Sequence, residues 1–375
     1  MLDVTAIPTD IWSLILPLAC TDGGFTGKSL ALTSTFFHAQ ASPFRFYSLA
    51  FDTLARMENF LAFVRRQPGD FRPQIAHLYI SHSDHPNNRL QWSWRSVARM
   101  TEAQRRQYMR TIGEEKMDWT LNFQAAIDAL LHLAAPNLLT LCIAGGCTPI
   151  VIRYSFPRLE ELTGFNFLPD ANVQSGSASG SAGVNDRNNN TRFPALKRAH
   201  IALGISRPVS SLILRPLLVA TATLTHVRIS NVAAMSRALA GALVPNVDAN
   251  FFPEQPSPTS LFPPLVLPAL RHVTIQNTSR GEHGAAIATS LESPTAAVQM
   301  HKFDTRDGET GRMYLIEDRQ RLDSHWRDRL KEEWLDRMDG GRGCWVQSAE
   351  EEDTRWKNIQ STSVTVWRHG PRPTR

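Results

Sequence analysis

Four cysteines in 375 residues, at positions 20, 142, 147 and 344, leave no C-x-x-C pair. Cys142 and Cys147 have neither a second pair nor a histidine pair at zinc-ligand spacing, so the sequence predicts no metal and reduced structural thiols. No charged leader followed by an apolar stretch opens the chain, and Ile11–Cys20 is too short for a membrane span and contains Pro17. The expected location is therefore cytoplasmic, nuclear or both, with no membrane partner. Charge of one sign is also scarce. Forty basic against 35 acidic residues give a net charge of +5, and the last 75 residues hold 15 of each. No Lys/Arg-rich block forms, which argues against a nucleic-acid partner. Catalytic signatures are absent too: there is no G-x-S-x-G, H-E-x-x-H or G-x-G-x-x-G.

One stretch imitates a phosphate loop. Residues 22–29 read DGGFTGKS, and Gly27-Lys28-Ser29 is the ending such a loop requires. Five places before Gly27, however, stands Asp22, and Gly23 is one residue too close for the full turn. A carboxylate there would repel the anion. The segment reads better as a flexible connector between two helices.

Those helices follow from apolar spacing. Thr9 or Asp10 can cap a first helix with Ile11, Trp12, Ile15 and Leu18 on its apolar side. SLALTSTFFHAQASP reads as the second, with Leu30, Leu32, Phe36 and Phe37 at near-helical spacing and Pro43 as its stop. FRFYSLAF then supplies an aromatic and aliphatic docking segment. So much apolar surface in under fifty residues cannot be buried by the module alone.

The order Ile7-Pro8, Asp10-Ile11, then Leu30, Thr33, Ser34, Phe36 and Phe37 resembles the F-box. Ile7 stands where that family has leucine, and Asp10 where it has glutamate. Pro43 and Phe46-Tyr47 resemble the ending common in fungal members, and MDGGRGCW near the C-terminus resembles the ends of F-box-like proteins of mushroom-forming fungi. The resemblance implies a surface for the Skp adaptor of a cullin–RING ubiquitin ligase, formed by Ile7, Pro8, Ile11, Ile15, Leu18, Leu30, Leu32, Phe36 and Phe37. The same residues would otherwise cap the downstream domain.

Downstream, a pattern of proline or alanine, leucine and alternating aliphatics recurs. It appears as PQIAHLYI, PNLLTLCI, PRLEELTG, PALKRAHI, ATLTHVRI and PALRHVTI, starting at residues 73, 136, 157, 194, 222 and 268. Each copy ends in a two-residue period, which predicts a strand with one buried face. Ile127, Leu130, Leu131 and Ala134 predict a helix between copies, and VSSLILRPLLVATATL a second. A strand plus a helix or loop per unit resembles leucine-rich repeats. The spacings of 63, 21, 37, 28 and 46 residues make the array degenerate, and an irregular α/β domain is the rival architecture. Leu138, Leu159, Leu196, Leu224 and Leu270 should occupy one inward position on parallel strands paired in chain order.

The predicted fold is thus α/β. Residues 1–52 form a small helical F-box-like module. Residues 53–300 form an irregular leucine-rich-repeat-like array, with a disordered loop at about 170–191 and a second excursion at Pro253–Pro264. Residues 301–375 add a charged helix over Tyr314–Met338, a strand at Ser363–Trp367 and a disordered tail. In that helix Trp326, Leu330, Trp334 and Met338 recur at i+4 steps, with Glu317–Arg321, Asp323–Arg327 and Glu333–Arg337 as outer pairs. His77, His82, His85 and Asp84 read as a surface loop with incidental histidines, and Glu160-Glu161 and Glu350–Asp353 as solvated acidic runs.

Functionally, the sequence points to a non-catalytic substrate-recognition subunit of a Skp–cullin–F-box ubiquitin ligase, with no cofactor. It would hold the Skp adaptor, and through it a cullin, at one end and a protein target at the other. A non-ligase interaction scaffold and a nucleotide-binding enzyme are the alternatives.

Overall fold

The structure is a computed structural model that describes residues 7–69, 71–82, 99–144, 150–165, 167–169, 192–202, 221, 223–232, 269–278, 297–304, 310–318 and 326–345. The chain begins with helices α1 (Thr9–Ala19), α2 (Phe25–Thr33) and α3 (Thr35–Ala41), followed by a 3₁₀ turn at Ser42–Phe44. Strand β1 (Ser48–Phe51) and helix α4 (Leu54–Arg66) lead to β2 (His77–Ser81) and the long helix α5 (Glu102–Ala134). Then come β3 (Thr140–Ala144), β4 (Ile150–Ile152), β5 (Glu161–Phe165), β6 (Phe167–Pro169), β7 (Arg198–Ala202), β8 (His226–Val232) and β9 (His272–Thr278). β10 (Ala297–Asp304), β11 (Thr310–Asp318) and helix α6 (Trp326–Met338) complete the described elements.

Nine strands form one sheet in the order β1-β2-β3-β5-β7-β8-β9-β11-β10, and β4 pairs with β6 apart from it. Every pairing from β1 through β11 is parallel, and only the outermost strand, β10, runs antiparallel. The fold is mixed α/β, and the six repeated segments supply six adjacent strands in chain order.

A single register runs across them. His77, Thr140, Glu161, Arg198, His226 and His272 lie side by side. Two residues before each stands Ile75, Leu138, Leu159, Leu196, Leu224 or Leu270, and all six are buried. Backbone hydrogen bonds repeat in step. The carbonyl of Ala76 accepts from the amides of Leu139 and Thr140, that of Leu139 from Glu160 and Glu161, and that of Glu160 from Lys197 and Arg198. The same doubled bond recurs from Lys197 to Thr225 and His226, and from Thr225 to Arg271 and His272. Each copy is thus fixed to the one before it at the strand entrance, where leucine fills the space beneath.

The pattern also extends upstream of the segments recognised in the sequence. The Tyr47 carbonyl accepts from Ala76 and His77, and Phe46 stands in the leucine column, packed on the core. FRFYSLAF therefore leads into and ends in the first strand of the sheet, Ser48–Phe51, rather than serving as a docking segment. The sheet starts before residue 52 and continues through β11, past residue 300.

Period two divides the side chains. Leu49, Leu78, Leu141, Leu162, Ala199, Val227 and Val273, with Phe51, Ile80, Ile143, Ile201, Ile229 and Ile275, face one buried core. From α5 that core receives Phe123, Ala126, Ile127, Leu130, Leu131 and Ala134, and from α4 Leu54, Met57 and Leu61. The helix predicted around Ile127 is longer than its apolar stripe. It starts at a capping box, in which the Thr101 hydroxyl accepts from the Gln104 amide and the Gln104 side chain accepts from Thr101 N–H.

The opposite sheet face is covered by α6. Leu330 and Trp334 pack on Tyr79, Cys142 and Ala144, and the Tyr79 and Trp334 rings lie 5.7 Å apart. The predicted helix over Tyr314–Met338 is corrected here: its first part is β11, which pairs along its length with β9 and β10. The run RMYLIED has too few turns to bury an apolar stripe as a helix, yet it completes both neighbours' hydrogen bonding as a strand. Past the end of α6 the chain turns at Gly340, whose φ of 85° is open to glycine at little cost. Of the helix expected over residues 209–224, only 221, 223 and 224 are described, and they are not helical. The 170–191 and Pro253–Pro264 excursions and the Ser363–Trp367 strand fall outside the described residues, as do Cys147, Asp84, His85 and Glu350–Asp353.

Candidate partner-binding faces

Helix α1 sorts its apolar residues onto two sides. Leu16 is buried and Trp12 is half-buried, its ring 5.1 Å from Phe37 and 6.4 Å from Phe36 in edge-on contacts. These three aromatics hold α1 on α3. Ile11, Leu14, Ile15 and Leu18, at i, i+3, i+4 and i+7, form the outward stripe, where Leu14 is 67% and Leu18 78% exposed. Ile7 and Pro8 continue it, and Leu32 on α2 is 78% exposed. Of the nine residues read from the sequence, Ile7, Pro8, Ile11, Ile15, Leu18 and Leu32 are exposed. Leu30, Phe36 and Phe37 are half-buried, and the two phenylalanines serve the aromatic cluster. Leu14 and Phe25 were missed. The i, i+3, i+7 spacing from Ile11 to Leu18 contained the signal for Leu14.

The helix boundaries differ from the reading. α1 has no side-chain cap from Thr9 or Asp10; its N-cap is Pro8. The second helix is two helices, because the Ser34 hydroxyl accepts from Phe37 N–H and starts α3 afresh.

The phosphate-loop question has a structural answer. Residues 25–33, including Gly27, Lys28 and Ser29, are helical, so the connector shrinks to Thr21–Gly24. The Asp22 carboxylate accepts from Thr26 N–H at 2.9 and 3.0 Å and from the Thr26 hydroxyl at 2.6 Å. It occupies the helix N-terminus where a phosphate would sit. Nor is the connector loose. Gly23 N–H donates to the Ser48 hydroxyl, which donates to the Thr21 carbonyl, and a Cβ on Gly24 (φ 94°) would lie 3.1 Å from the Ser48 carbonyl oxygen. The module is tied to β1, the edge strand, and its apolar stripe points elsewhere. Cys20 is buried, and burial with Asp22 nearby pushes its thiol up to about 11.

The second face is the polar side of the sheet. At strand entry Glu161 pairs with Arg198 at 2.8 Å and with Arg337 of α6 at 2.6 Å, which corrects its reading as a solvated acid. Glu160 is half-buried and pairs with Lys197 at 3.1 Å. Glu333 pairs with Arg329 rather than with Arg337. The His226 and His272 rings stack 4.5 Å apart. Burial, then His272, Arg198 and Arg271, lower His226 to about 4. Burial likewise lowers His77 to about 4 beside the Thr140 hydroxyl. His82 is no surface residue. It is buried against Trp119 and Phe123.

Farther along this face, Arg228 is buried and donates to the Cys344 carbonyl at 2.8 Å and to Gln276 Oε1 at 3.0 Å. His200, Glu333 and Cys344 are buried together, and one ligand-capable atom of each lies within 4.8 Å of the others. Burial pushes the Cys142 thiol well up, with Cys344 and Glu333 adding charge repulsion. No described helix is long and apolar enough to cross a membrane. Compared with known proteins, the chain matches no family model, no curated protein and no solved structure.

Proposed function

We propose that this chain is the substrate-recognition subunit of a Skp–cullin–F-box ubiquitin ligase, with α1–α3 as its F-box and the parallel sheet as a degenerate leucine-rich-repeat-like array. The observation that carries the reading is the outward stripe of Ile11, Leu14, Ile15 and Leu18 on a module whose other side is pinned to β1. Four aliphatic side chains in a row are costly to leave in water and suit a partner's apolar groove. The module would hold the Skp adaptor while the array holds a protein target, so that the target's lysine meets the ubiquitin thioester at high effective concentration. The chain itself would perform no chemistry.

The test is co-purification of the full chain with a Skp adaptor, wild type against Pro8→Ala/Ile11→Ala. Both residues are exposed, so the variant should keep its circular dichroism spectrum and unfolding midpoint. Interface anchors typically cost at least about 2 kcal/mol each on truncation, so adaptor capture should disappear. Undiminished capture by the double variant would sink the proposal.

A further inference from the structure

We propose that His200, Glu333 and Cys344 form a zinc site that clasps the C-terminal segment to the sheet. The three come from separate parts of the fold: β7, α6 and the turn after α6. An imidazole, a carboxylate and a thiol are the donor types that zinc takes in tetrahedral sites. Glu333 and Cys344, without His200, also line a cavity of about 20 Å³ between α6 and the sheet, together with Thr140, Thr163 and Trp334. That volume holds one small occupant.

The surrounding groups orient the donors. The Ser230 hydroxyl donates to Gln276 Oε1 at 3.0 Å, so its oxygen is the acceptor toward His200 Nε2, also at 3.0 Å. This assigns the ring proton to Nε2 and leaves the lone pair on Nδ1, the form an imidazole ligand needs. Arg329 holds Glu333 Oε1 at 2.8 Å, and Arg228 holds the Cys344 carbonyl. The Arg329 and Arg228 guanidiniums stay beside the site as cations. On binding, Cys344 loses its proton to solvent, and one thiolate with one carboxylate offsets the two charges of the ion. Water would complete four-fold coordination.

The experiment uses the full chain, expressed with zinc supplied and stripped of loose metal on a chelating resin. Elemental analysis should give about one zinc per chain. Cobalt(II) titrated into the zinc-free chain should produce a thiolate-to-cobalt charge-transfer band in the near ultraviolet. Cys344→Ala should abolish that band, and Glu333→Gln, which keeps the shape of the side chain, should weaken cobalt binding at least tenfold. Circular dichroism of each variant identifies any that fail to fold. Wild-type chain that is folded, metal-free and silent toward cobalt overturns the proposal, as does a band that persists in folded Cys344→Ala.

Discussion

At the scale of single residues, half-buried histidines make the molecule sensitive to mild acid. His77 and His226 are lowered from 6.5 to about 4, chiefly by burial, and His272 is lowered as well. Such an imidazole binds fewer protons folded than unfolded. Its contribution to stability is complete above pH 6.5 and drains away as pH falls toward 4. The unfolding temperature should therefore hold steady between about pH 8 and 7 and decline from about 6.5 downward. His77→Gln combined with His226→Gln should flatten that decline between about pH 6.5 and 5, above the range where carboxylates titrate. An equally steep decline in the double variant would place the sensitivity elsewhere.

At the scale of elements, what the sequence revealed depended on whether the deciding contact was local. The six strands were legible because leucine (isoleucine in the first) two places before each strand and the aliphatics after it keep a period of two. The split between α2 and α3 was missed because Ser34 lies between apolar residues that read as one stripe, although a serine is a natural start for a helix. β11 was missed because the acidic and basic residues after it follow helical spacing, and only pairing with β9 and β10 decides for a strand. The His200, Glu333 and Cys344 cluster had no local signal, since the fold alone brings those positions together. Helix α2 offers a direct test of the local logic. Asp22→Ala removes the acceptor for Thr26 and should cost about 1 kcal/mol in urea denaturation, as loss of a helix cap does. Lys28 is exposed; Lys28→Ala should stay within about 0.5 kcal/mol of wild type and alter no response to ATP or GTP. Nucleotide binding that vanished with Lys28 would reopen the phosphate-loop reading.

At the scale of the whole molecule, α6 joins distant parts of the chain. Trp334 is buried on Tyr79, and Arg337 reaches Glu161. Trp334→Ala should cost about 3–5 kcal/mol, read from the denaturant midpoint, and should raise amide exchange at the tip of β2 and β3. A change below about 0.5 kcal/mol, the range of ordinary surface substitutions, would mean that α6 rests on the sheet without bracing it. The same contact sets a schedule for biosynthesis. β3 ends at residue 144 and α6 at residue 338, so at about 5–20 residues per second roughly 10–40 s separate their emergence from the ribosome. Throughout that interval Tyr79, Cys142 and Ala144 lack their cover, and a message truncated before α6 never supplies it. Such a chain would carry a permanently bare apolar strip on its sheet, the kind of surface that chaperones and quality-control proteases engage.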